Sequence, residues 1–167
     1  MNWHPWIVYA HVLGAFAFAA GHGVAATMAF RLRSERDPVR LAALLDFSLW
    51  QVSPRSLMSI GFIVLFLSGI VAGFTGGYWG RLWIWVALVL LVVITGLMTP
   101  VAAGHYNKVR VALGQKLPRD KSDAPPPAPL PPEQLEALLM APTPWILAGI
   151  GGVGFAVILL LMFFKPF

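Results

Sequence analysis

Four imidazoles, His4, His11, His22 and His105, are the side chains of this sequence best suited to chemistry in an apolar phase. His11 and His22 lie eleven residues apart in a run free of Asp, Glu, Lys and Arg. On a helix they share one face, about 16 Å apart along the axis. That spacing suits two sites at different depths and excludes a single shared metal. Neutral imidazole among Ala, Gly and Phe suits haem iron or copper. The plainer reading is a hydrogen bond from each ring to a carbonyl or hydroxyl on a neighbouring helix.

Depth selects partners for these rings. With helix midpoints near Phe18, Val93 and Phe155, His22 falls about 6 Å and Met98 about 7.5 Å to one side of the middle. His11 and Met162 both fall about 10 Å to the other. The expected cofactor-binding set is therefore His11, His22, Met98 and Met162, with His11 and His22 as the metal ligands. His plus Met serves haem iron, and imidazole with thioether also serves copper. By the same count His105 is about 18 Å from its midpoint and belongs with the headgroups.

Other chemistries are short of parts. The apolar segments contain no carboxylate, ammonium or guanidinium, so proton relays and ion-coupled transport lack their usual groups. Neither G-x-S-x-G nor a P-loop occurs, and Ser59, Ser68, Thr27, Thr75, Thr95 and Thr99 have no acidic neighbour in sequence. Cysteine is absent, which removes disulfides, thiolate metal sites and covalently attached haem. No catalytic residue is assigned, and the reading leans away from an enzyme.

The elements that must hold these groups follow from composition. The chain has 167 residues, 58% hydrophobic and 11% charged, with a mean hydropathy of +0.74. One soluble core of this length cannot hide so much apolar side chain. Four segments, at about 5–30, 57–80, 82–106 and 145–164, are each long enough to cross a roughly 30 Å hydrocarbon layer as a helix. The fold class expected is all-α: a four-transmembrane-helix bundle forming a single integral membrane domain.

The net charge of +5 follows the loops. Arg31, Arg33, Arg36, Arg40, Arg55, Lys108, Arg110, Lys116, Arg119 and Lys121 flank one side; only Arg81 and Lys165 flank the other. That asymmetry predicts both longer loops in the cytoplasm and both termini outside, in a bacterial inner membrane, with lipid and not nucleic acid as the basic surface's partner. Trp3, Trp6, Tyr78, Trp79, Trp83, Trp85, Phe163, Phe164 and Phe167 form an aromatic belt on the outer side.

In the first loop, Asp37-Pro38 starts an amphipathic cytoplasmic surface helix over 38–52. In the second, the proline-rich stretch 122–132 reads as an extended spacer leading to a short surface helix over 132–140. Small residues at Ala17, Gly21, Ala25, at Gly69, Gly73, Gly77 and at Gly149, Gly151, Gly152, Gly154 predict close helix packing, within one bundle or at the seam of a homo-oligomer or larger membrane complex.

The run His11-Val12-Leu13-Gly14, then His22-Gly23-Val24, Arg31-Leu32-Arg33 and Arg36-Asp37-Pro38, resembles a bacterial family of predicted four-helix integral membrane proteins of unknown function. The turn Gly76-Gly77-Tyr78-Trp79-Gly80-Arg81 with Trp83-Ile84-Trp85 adds to the likeness, which covers roughly residues 5 to 105. More remotely, it is similar to the copper-resistance D proteins and to the haem-binding membrane protoporphyrinogen oxidases. That resemblance implies a ligand role for His11. The oxidases' further charged residues within the membrane have no counterpart here.

The function expected is that of a non-catalytic membrane subunit or anchor binding b-type haem through intramembrane His. The alternatives are a copper-handling membrane transporter, or a membrane redox enzyme of the protoporphyrinogen oxidase kind in which His11 and Tyr9 move protons.

Overall fold

The computed structural model describes residues 2–121 and 123–166; Ser122, at the start of the proline-rich stretch, and Phe167, in the aromatic belt, lie outside the described residues. Among the described residues every regular element is helical: α1 His4–Ser34, α2 Pro38–Gln51, α3 Leu57–Thr75, α4 Leu82–Ala112, α5 Pro132–Leu139 and α6 Thr143–Phe164. Four helices are long and apolar enough to cross a membrane. The large apolar side chains on their outer faces, such as Phe16, Leu67, Phe74 and Val153, are left for lipid.

Each helix end has a local cause. Asp37 caps α2, its carboxylate accepting from the Val39 amide at 2.8 Å, and Pro38 takes the first helical position. Ser56 caps α3 through the Ser59 amide at 3.0 Å. That helix stops at Thr75, short of the expected Gly80, because Gly76 and left-handed Gly77 (φ +67°) turn the chain into a 3-10 turn, Tyr78–Gly80. At the other end α1 and α4 run beyond their apolar stretches, to Ser34 and Ala112. α4 passes through Pro100 without ending.

The helices pack as two close pairs, α1 with α3 and α4 with α6, joined by a thinner seam between α1 and α6. Glycine makes the first pair close. A Cβ on Gly14 would meet the Leu65 backbone nitrogen at 2.5 Å, one on Gly21 would meet the Met58 Cα at 2.7 Å, and one on Gly61 would strike the Phe18 amide. In lipid, where apolar side chains gain little from each other's company, such backbone approach is the main source of helix affinity.

Fully buried apolar side chains gather elsewhere. Leu32, Leu41, Leu45, Val109 and Leu139 form one cluster where the end of α1 meets α2, α4 and α5. This is the end that carries most of the arginines, together with the two shorter helices α2 and α5. Ion pairs and capping bonds surround the cluster. Arg33 Nη1 donates to the Met140 and Ala141 carbonyls at 2.8 Å each, Arg36 pairs with Glu136 at 2.6 Å and buried Arg110 with Asp46 at 2.9 Å. The proline-rich stretch is strapped down as well: the Leu130 amide donates to the Ala112 carbonyl at 3.0 Å, and Pro127 and Pro129 lie against Gly114.

His4 and Lys165, near the two termini, both lie at the opposite end of the bundle. His4 Nδ1 is 2.8 Å from the Thr75 hydroxyl at the end of α3. Lys165 Nζ sits 4.6 Å from the centre of the Tyr78 ring and 5.9 Å from that of Trp83.

Candidate metal centre

The two membrane histidines meet different surroundings. His11 turns toward α3, where its Nδ1–H donates to the Leu65 carbonyl at 2.8 Å and the Ser68 hydroxyl lies 3.4 Å from the same nitrogen. Ser68 also donates to the Val64 carbonyl, back along its own helix. Gly69 closes over the ring: a Cβ there would be 2.9 Å from Cε1 and 3.9 Å from Nε2. The glycine is the space into which the imidazole fits. Met162, on α6, makes no hydrogen bond to His11, whose polar contacts all come from α3.

His22 turns the other way. Its Nε2 and the Met98 Sδ each lie 3.3 Å from the position a Cβ would take on Gly151, with Met98 Cε at 3.1 Å. α1 and α4 thus bring one imidazole and one thioether against the same glycine of α6, and Gly151 supplies the room. Phe18 covers the ring at 5.2 Å between centroids and is itself 5.7 Å from Phe62. The Nδ1 of His22 is buried without a hydrogen-bond partner. A buried polar nitrogen left unpaired costs about 1–3 kcal/mol, so it calls for an explanation.

His4 and His105 stand apart from both. His4 belongs to the end carrying the termini, beside Thr75 and Tyr78. His105 is buried at the basic end, its ring 5.7 Å from that of Tyr106. Among the described residues no three His, Cys, Asp or Glu side chains come together.

The two candidate groups differ in fit. A porphyrin between His22 and Met98 would have to push α6 aside, because both side chains bear on the same glycine of that helix. At His11 the nitrogen chemistry suits haem iron, since donation from Nδ1 leaves the Nε2 lone pair. The backbone of α3 nevertheless lies against that ring at Gly69, so a macrocycle requires α1 and α3 to part. Haem does not fit either ring as packed. Copper(I) needs no flat opening, and imidazole nitrogen with thioether sulfur is a donor set that suits it.

Rise per residue alone puts His22 and Met98 at similar depth, whereas nothing in the sequence marks Leu65, Ser68 and Gly69 as the surroundings of His11. The Ser68-Gly69 pair carries no signal until α3 is docked. No protein-family model matches the chain, and no curated protein or solved structure matches it.

Proposed function

We propose that this chain is a non-catalytic subunit or anchor of the bacterial cytoplasmic membrane, with both termini outside, in which His22 and Met98 hold copper(I). The observation that carries the proposal is that His22 Nε2 and Met98 Sδ both lie against Gly151, each 3.3 Å from the position of a Cβ there. The excess of arginine and lysine on two loops supports the orientation. Bound copper(I) would supply a soft, two-ligand centre. The protein's part is to place the imidazole and thioether, and to keep water away with Phe18 and the flanking helices.

The test is the copper content of the full-length protein in detergent after loading with copper(I) and removal of the excess. About one copper per chain is expected for the wild type, together with a loss of at least tenfold in affinity in His22→Ala and in Met98→Leu. His105→Ala keeps the metal. Retention of copper by both His22→Ala and Met98→Leu overturns the assignment, and a Soret band that disappears in His11→Ala replaces it with haem.

A further inference from the structure

The corner between α2 and α3 holds polar groups that have no hydrogen-bond partner among the described residues. Trp50, Ser53, Pro54 and Arg55 line a cleft of about 580 Å³. The Ser53 Oγ is buried with no hydrogen-bond partner, and so is the Nε2 of neighbouring Gln51, a residue only 4% exposed. Of the five arginines from the end of α1 to the start of α3, four are engaged. Arg31 and Arg40 approach Glu35 at 3.1 and 3.9 Å, Arg36 meets Glu136, and Arg33 holds the α5 carbonyls. Arg55 forms no ion pair among the described residues and is exposed.

Position narrows what this corner can bind. Arg55 stands two residues before Leu57, the first residue of a membrane-crossing helix, which puts its guanidinium at the level of the headgroups. Around it Trp50, Val52 and Leu57 are turned outward, 52%, 63% and 51% exposed. Trp50 stacks on Phe47 with centroids 5.6 Å apart, which holds the indole in place at the rim. A guanidinium without a counter-ion beside a hydroxyl without a partner is suited to a phosphate diester, and the apolar rim is suited to the glycerol and upper acyl carbons attached to it. The groove on the other side of α2, at Arg31, is a weaker candidate because Glu35 already answers its charge.

We infer that the α2–α3 corner is a binding site for one anionic phospholipid, with Arg55 and Ser53 on the phosphate and Trp50 against the glycerol region. The site is separate from the His22–Met98 centre and does not depend on it.

Native mass spectrometry of the full-length protein in detergent, titrated with phosphatidylglycerol or phosphatidylcholine, tests the inference. The wild type is expected to retain one phosphatidylglycerol about tenfold more tightly than phosphatidylcholine, because both carry the phosphate diester but choline's own quaternary ammonium offsets its charge toward Arg55. Arg55→Gln removes that preference, Ser53→Ala weakens it several-fold, and Arg81→Gln at the opposite end leaves it intact. Equal retention of the two lipids by the wild type overturns the site, as does unchanged selectivity in Arg55→Gln. Displacement of the lipid by millimolar inorganic phosphate shows a free-anion site and overturns the lipid assignment.

Discussion

His11 and His22 have the same residue type, the same helix and the same apolar setting, yet they meet different surroundings. The first is a packing and hydrogen-bonding group: its Nδ1–H takes the Leu65 carbonyl, and its ring fills the space above Gly69. His11→Ala is expected to lower stability in detergent by about 1 kcal/mol, the usual size of an interhelical bond in a membrane plus some lost packing, and to leave copper content unchanged. A thermal-unfolding midpoint and a metal assay on the same preparation check both halves. Glu35, just past the end of α1, shows the same dependence on surroundings. The backbone amides of Asp37 and Arg36 donate to its carboxylate, and Arg31 and Arg40 flank it, which together hold its pKa below the ordinary glutamate value. A lowered folded-state pKa contributes stability above the unfolded value and loses it as pH falls through the folded one. The melting temperature should therefore drop below about pH 4.5, and Glu35→Gln should flatten that acid limb while lowering stability at pH 7.

Glycine is the clearest case of one residue type serving opposite purposes in different helices. In α1 and α3, Gly14, Gly21 and Gly61 exist so that two backbones can touch; in α6, Gly149 and Gly152 have no atom within 4 Å of where a Cβ would stand. Gly21→Val is expected to cost about 1–3 kcal/mol, because the added carbons meet the Met58 backbone and the helices must shift. Gly152→Ala is expected to be neutral or to stabilise by up to about 1 kcal/mol through helix propensity. Unfolding midpoints of the two variants in the same detergent separate the roles, and equal destabilisation would mean that the outward face of α6 is occupied. α4 tolerates Pro100, although proline removes one amide donor from the ladder. Neighbouring Thr95 and Thr99 bond back to their own helix at 2.7 and 2.8 Å.

Two kinds of cohesion share the molecule. Through the apolar layer the helices hold by close approach of small residues, while at the basic end a leucine cluster, four helix ends and a set of arginine contacts form a conventional core. The copper proposal lies in the first region and the lipid proposal at the border between them. The orientation is testable because the chain has no cysteine. A thiol reagent that cannot cross membranes should label Asn2→Cys on intact cells, and should label Arg119→Cys only after the membrane is opened. The reverse pattern would place the basic end outside and move the lipid site to the other leaflet.

Hydropathy and charge are sums over neighbouring residues, so four apolar helices, the Asp37-Pro38 start of α2 and the asymmetry of basic loops could be read before any coordinate was known. Helix periodicity also put His22 and Met98 at matching depth, because rise per residue is nearly constant. Which way a ring turns is another matter. That His11 faces Leu65 and His22 faces Gly151 depends on which helices pair, and pairing in lipid is decided by where backbones can come closest, a property of two surfaces at once. For the same reason Gly14 and Gly61 carried no signal until α1 and α3 met, and the unpaired Ser53 and Arg55 emerged only when α2 folded back against the bundle.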